Sequence, residues 1–276
     1  MIQDQFLPSY HSDGRAERLE RWRCVTRSDD WRLLVWTGSR VTDHIRLVLA
    51  HMGYQARWDG LKGEEPGQWA RALNLDRALS QSAEDFLNLL SEVLVLLAPD
   101  VLASALALDY YKVAVDGLDP AHWDNSEVGE LVHRMKYWTD DPQAQESALI
   151  ELSTRMAAVI ERHPLYRETL IIQVPGHDSN HVSWGERLAE SVAGLTGLQM
   201  VRAQTRRSQR PPAKERQDRR DLWEEFQLAS EVSGRTVLAI DDTYGQGDTL
   251  KGVALAAKRA GAMEVHALLA TRNIRK

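Results

Sequence analysis

The sequence contains a single cysteine, Cys24. An intrachain disulfide is therefore excluded, and so is a zinc site of the paired-cysteine type. A reducing, cytoplasmic setting is the expectation, and Cys24 itself reads as structural or incidental. Long hydrophobic runs are also missing. The longest, FLNLLSEVLVLLAPDVLASALAL from Phe86 to Leu108, is broken by Glu92, Pro99 and Asp100. Crossing a membrane takes about 20 mostly apolar residues, so this run reads as a buried core element and no membrane partner is expected. Nor does an apolar N-terminal stretch resemble a signal peptide. Positive charge is not in excess. The net charge of −6 excludes a chain-wide basic coat for nucleic acid, although it leaves room for a local basic patch. Neither an internal repeat nor a low-complexity tract is visible.

What remains is the composition of a soluble globular chain. Its 276 residues, 43% of them apolar and 27% charged, suffice for one large domain or two small ones. The expected division is an N-terminal α/β accessory region over residues 1–105 and a second domain over 106–276. The boundary is drawn between the turns at Pro99-Asp100 and at Asp116 to Pro120. In the first part, GRAERLERWR suggests a short surface helix or a mobile lead-in. Leu33 to Trp36 read as a strand and Thr37-Gly38-Ser39 as a turn. Val41, Ile45, Val48 and Leu49 keep helical spacing up to Gly53. A turn at a helix N-terminus can hold a phosphate, but so short a Gly/Ser turn is a weak signal and a plain capped connection is preferred. Residues 60–80 read as loop. Residues 82–98 read as a helix, with Ser82 and Asp85 spaced as in a capping box.

From about residue 124 strands and helices alternate. SEVGELVHRMKYW is an amphipathic helix with Val128, Leu131, Val132 and Met135 on one face. A second helix covers 143–163. ETLIIQVPGHDSN is a short apolar strand ending at Pro175-Gly176. Helix GERLAESVAGLTG follows, stopped at Gly197, and then strand QMVRA. A charged loop, EFQLA, strand VLAI, helix LKGVALAAKRAGA and strand VHALLATR complete the order. This alternation predicts an α/β fold, a mostly parallel sheet flanked by helices.

Ligands of such sheets sit beyond the carboxyl ends of the strands. Asp241 and Asp242 stand at such an end, followed by a glycine-containing loop and a helix. Loop N–H groups and the positive helix end suit a 5′-phosphate. Two carboxylates beside it suit the hydroxyls of a ribose, directly or through Mg²⁺. Taken alone, the pair is equally readable as a helix-capping or loop-stabilising feature.

VLAIDDTYGQGDTL resembles the phosphoribosyl-pyrophosphate motif of type I phosphoribosyltransferases. SEVGELVHRMKYW, IIQVPGHDSN, GERLAESVAGLTGLQMVRA and TRRSQRPPAKERQDRRDLWEEFQL resemble, in order, segments of the ComF-type competence proteins of that superfamily. The resemblance covers roughly residues 120–276. It implies a type I phosphoribosyltransferase-like fold and a Mg²⁺-dependent transfer of a phosphoribosyl group to an unidentified acceptor. Asp241 and Asp242 would then be the catalytic and metal-holding pair. Thr243, Tyr244, Gly245, Gln246, Gly247, Asp248 and Thr249 would bind phosphate. Pro175, Gly176 and His177 would bind pyrophosphate. Arg206, Arg207, Arg210 and Lys214 would belong to a basic lid. The cysteine ribbon of many ComF-type proteins is absent, and Asn180-His181-Val182-Ser183-Trp184 replaces the family's Arg-Gly-Phe-Asn-Gln. Gly245 replaces an acidic residue of purine-specific relatives, Gln246 replaces a usual Ser or Thr, and Asp248 brings negative charge to a phosphate loop.

Three functions remain open. One is an enzyme using phosphoribosyl pyrophosphate. Another is a non-catalytic module that senses a nucleotide or that same ligand. The third is a partner of nucleic acid, acting through the basic stretch from Gln204 to Arg220, with seven basic and two acidic residues. A mobile lid is the preferred reading of that stretch, with a solvated loop as the alternative. A homodimer is compatible with each. His177 is a candidate pyrophosphate contact or proton donor, or simply exposed. Lys136 is a ligand contact or a surface lysine matched to a helix dipole. Trp138, Trp184 and Trp223 are base-stacking candidates without a supporting spacing.

Overall fold

The computed structural model describes residues 16–27, 30–63, 65–115, 117–178, 181–206, 223–228 and 232–274. The first half contains β1 (Ala16–Glu17), β2 (Arg21–Arg27), β3 (Asp30–Trp36), α1 (Ser39–His51), β4 (Arg57–Asp59), β5 (Arg71–Leu75), α2 (Gln81–Glu92), β6 (Leu94–Leu96) and β7 (Ser104–Tyr110). After it come α3 (Glu127–Tyr137), α4 (Pro142–Arg162), β8 (Leu170–Gln173), α5 (Trp184–Thr196), β9 (Met200–Arg202), β10 (Gln204–Thr205), β11 (Phe226–Gln227), β12 (Thr236–Tyr244), α6 (Asp248–Arg259) and β13 (Glu264–Arg272).

Seven strands form the main sheet in the order β1-β6-β7-β13-β12-β8-β9. The five from β7 to β9 run parallel, and β6 and β1 add an antiparallel edge. The expected α/β architecture, a mostly parallel sheet flanked by helices, is the one observed. Strand alternation decides which side chains face which layer. Leu238 and Ile240 of β12 pack toward α3, α4 and α5, while Val237 and Ala239 pack toward α6. Each fully buried Leu, Ile or Val contributes roughly 1.5–3 kcal/mol relative to exposure. Val128, Leu131, Val132 and Met135 of α3 are all buried, as their spacing predicts.

A second, antiparallel sheet has the order β2-β3-β5-β4. Its Leu33 and Val35, and Val41 and Ile45 of α1, share one core cluster with Leu106, Ile171 and Leu238 of the main sheet. The boundary expected at 105/106 falls inside β7, and the N-terminal β1 and β6 belong to the main sheet.

Several local expectations are corrected. Residues 21–27 are a strand rather than part of a surface helix. Their alternating exposure, with Trp22 and Cys24 half-buried, suits pairing with β3. The supposed loop 60–80 contains β5, which buries Ala72, Leu73 and Leu75. Helix α2 is capped by Ser80 rather than Ser82, through a bond from the Ala83 N–H, and it ends before β6. No helix among the described residues is long and apolar enough to cross a membrane.

Candidate functional site

The sheet has a switch point between β8 and β12. From β8 the chain passes through α5 outward to β9; from β12 it passes through α6 the other way to β13. A crevice opens where such connections diverge, at the carboxyl ends of the strands. Ile240 pairs with Gln173 in register, so Asp241-Asp242, still paired with β13, stand beside Val174-Pro175-Gly176 where that segment leaves β8. The acidic pair and the expected pyrophosphate segment therefore meet at the same crevice.

Burial and pairing differ across the pair. Asp242, 9% exposed, receives both its oxygens' contacts from the Lys136 ammonium, at 2.9 and 3.0 Å. Burial alone would push this ammonium's pKa down, but the charge and hydrogen bonds of Asp242, with Asp241 adding to them, outweigh it and raise the net value. Lys136 thus stays charged at neutral pH. It comes from the last turn of α3, whose apolar face fixes the helix against the sheet. Asp241 accepts the Asp242 backbone N–H at 2.9 Å. Its carboxylate lies against the first turn of α5: a Cβ added at Gly185 would stand 2.8 Å from Asp241 Oδ1 and 3.6 Å from Asp242 Oδ2. The positive end of α5 thereby offsets charge that two adjacent carboxylates would otherwise leave uncompensated.

The helix N-termini around the sheet are not equivalent. At α1, the backbone N–H groups of Arg40 and Val41 donate to the Glu17 carboxylate at 3.0 and 3.4 Å, and Arg40 also pairs with it through its side chain. Thr37-Gly38-Ser39 is thus a plain connection whose anion position is filled from within. At α5, Ser183 and Glu186 form a capping box. The Glu186 carboxylate accepts the Ser183 N–H at 2.7 Å and the Gly176 N–H at 3.5 Å. At α6, the N-cap is Gly247, in the left-handed region at φ +82, which contributes no side chain of its own. A Cβ there would also meet the Tyr244 hydroxyl at 2.6 Å.

The expected phosphate-binding residues divide accordingly. Thr243 and Tyr244 belong to β12. The Thr243 hydroxyl contacts Thr271 Oγ1 at 3.3 Å, and the Tyr244 hydroxyl donates to the Leu97 carbonyl at 2.9 Å. Gly245, Gln246 and Gly247 form the turn, and Asp248 and Thr249 open α6, both half-buried. Beneath the turn lies fully buried Arg272, donating to the carbonyls of Tyr244 at 3.4 Å and Gly245 at 3.2 Å. Nothing in the local sequence marked that arginine; the β12–β13 pairing places it there.

Pro175 is buried and His177 exposed. Of the basic lid, Arg206 is described: it is exposed, and its N–H donates to the Glu225 carbonyl at 3.0 Å. Arg207, Arg210 and Lys214 lie outside the described residues, as does Asn180. Trp138, Trp184 and Trp223 each lie beside a cation, Arg134, Arg187 and Lys251 respectively.

Asp241 and Asp242 do not form a ready Mg²⁺ site. One or two carboxylates can hold that ion when water and substrate oxygens complete its shell, but here the Lys136 ammonium sits on one of the two. Among the described residues no three His, Cys, Asp or Glu side chains gather as a metal-binding group.

No protein-family model matches the sequence, and no curated protein does. Among solved structures, the chain is similar to a purine phosphoribosyltransferase from Pyrococcus horikoshii Ot3, at 16% identity and a TM-score of 0.30. The overlap covers 44% of this chain and 83% of that one. So loose a superposition decides nothing about activity.

Proposed function

We propose that the crevice binds a phosphorylated ribose, as phosphoribosyl pyrophosphate or a nucleotide 5′-phosphate, and that the protein is a phosphoribosyltransferase of the ComF-like kind. The observation that carries this reading is the placement of Asp241-Asp242 beside the Gly245–Gly247 turn at the switch point of a parallel sheet. Asp241 accepts hydrogen bonds from ribose hydroxyls. The turn's N–H groups and the positive end of α6 hold the 5′-phosphate. In the transfer, an acceptor nucleophile forms a bond to C1 of the ribose as the C1–O bond to pyrophosphate breaks and the leaving group takes the electron pair. Positive charge then develops on the sugar, next to the Asp241 carboxylate, which stabilises it.

One observation favours a second reading, binding without turnover. The Gly176 N–H, a donor the leaving pyrophosphate would use, already faces the Glu186 carboxylate. A sensor of nucleotide monophosphates needs no such donor. The test is calorimetric titration of phosphoribosyl pyrophosphate and, separately, of a nucleotide 5′-monophosphate into wild type and Asp241→Asn. Wild type binds, and the variant is weakened at least about tenfold, the loss of a charge-assisted hydrogen bond. Binding of the monophosphate alone selects the sensor, and binding of neither sinks both readings. Salt-dependent DNA binding that vanishes when Arg206, Arg207 and Arg210 become Ala would direct attention to nucleic acid.

A further inference from the structure

We infer that Lys136 is the built-in cation of the acidic pair, occupying at Asp242 the place a divalent metal would take and making the sugar-binding carboxylates metal-independent. Three observations converge on it. The ammonium touches both Asp242 oxygens, at 2.9 and 3.0 Å, so a metal ion bound to either would have to compete with a fixed cation. Its stem is held by α3, whose Val132 and Met135 are fully buried, so the cation is delivered by a rigid element rather than a loose surface side chain. The side chains are only 29% and 12% exposed, so the pair is screened less than an ion pair in open solvent.

The consequence is a division of labour. Asp242, neutralised by Lys136, is a structural carboxylate that fixes the ammonium at the crevice floor. Asp241 remains as the carboxylate that faces hydroxyls, positioned by the Asp242 N–H and by the close approach of Gly185. The site as a whole carries one negative charge less than its sequence suggests. That favours a ligand bearing a phosphate, which two uncompensated carboxylates would repel. A divalent cation approaching the pair meets a fixed positive charge within a few ångströms. At such a distance like-charge repulsion grows with the ion's double charge and is several-fold stronger near a protein surface than in water.

The assignment of a ribosyl ligand rests on the function proposed above, but the metal can be tested alone. Mn²⁺, read by electron paramagnetic resonance, is titrated into wild type, Lys136→Met, Lys136→Arg and the double variant Lys136→Met/Asp242→Asn. Wild type and Lys136→Arg leave the ion free. Lys136→Met gains a site at least about tenfold tighter, and adding Asp242→Asn removes it. Circular dichroism and the thermal midpoint establish that each variant is folded. Mn²⁺ bound by wild type as tightly as by Lys136→Met would overturn the inference. So would the absence of binding in Lys136→Met, because Lys136 would then not be what keeps the metal out. A parallel titration of ribose 5-phosphate into wild type, with and without EDTA, separates the two ideas. Equal binding in both supports a metal-free carboxylate site. Binding abolished by EDTA would overturn it. No binding in either defeats the ribosyl reading, while the Mn²⁺ result still decides the role of Lys136.

Discussion

Gly185 shows how much a site can depend on a missing side chain. In a helix interior, alanine in place of glycine gains about 1 kcal/mol of helix stability. Here the added methyl would stand 2.8 Å from Asp241 Oδ1, too close for either group to keep its place. Gly185→Ala is therefore expected to shift the thermal midpoint by only a few degrees while weakening phosphoribosyl pyrophosphate binding at least about tenfold; calorimetry beside a melting curve checks it. An equal loss of stability and affinity would mean that Asp241 is merely part of the fold. The position of the acidic pair was legible in the sequence, because four apolar residues running into two aspartates mark the end of a buried strand, and the pair does stand at the carboxyl end of β12. Lys136 as its partner was not, since the two positions are 106 residues apart and α3 gives no sign of where its last turn ends. Buried Arg272 was hidden for the same reason.

The connection from β8 to α5 is held by Ser183 and Glu186, which satisfy each other's backbone donors. Ser183→Ala is expected to cost about 1 kcal/mol, read from the denaturant midpoint. It removes the bond from the Glu186 N–H to the Ser183 hydroxyl, while the Glu186 carboxylate keeps the backbone donors of Ser183 and Gly176. The S-x-x-E spacing of this cap stands in the sequence. Element assignment succeeded where periodicity ran long, as in α3, α4 and α6. It failed for β5, five residues following a glycine-rich stretch, and for β2, whose arginines suggested a charged helix. In β2 the signal is the alternation itself: Arg21 and Arg23 point outward and Trp22 and Cys24 inward, a period of two that a reading by charge passes over.

Across the whole molecule, a chain of buried polar side chains ties α1 to the main sheet. His44 Nε2 lies 2.9 Å from His163 Nε2, and His163 stacks on Tyr166. Tyr166 meets Ser104 at 3.1 Å, and Ser104 meets His266 Nδ1 at 2.8 Å, with Glu264 at 3.3 Å from the far side of His266. Burial pushes His44 down to about 3 and His266 to about 4, and it pushes His163 well below its ordinary value. The unfolded chain therefore binds more protons than the native one once the pH falls below about 6.5. Stability is full above that pH and declines as it drops toward the native values, by roughly 2–3 kcal/mol at pH 4.5 for His44 alone. Urea midpoints at pH 7.5 and 4.5 check this, and the acid loss should be smaller in His44→Gln. No local pattern marks these histidines, because His44, His163 and His266 come from three distant segments.

The strand order also has a consequence in time. β13 is the latest of the seven strands in sequence, yet it lies between β7 and β12. Until β13 docks, the folding chain holds two part-sheets, β1-β6-β7 and β12-β8-β9, each with a bare edge where β13 belongs. Such edges invite pairing with other chains, and contacts spanning more than 150 residues, as between Ser104 and His266, form slowly. A folding intermediate without β13 in place is thus a form of this protein exposed to aggregation.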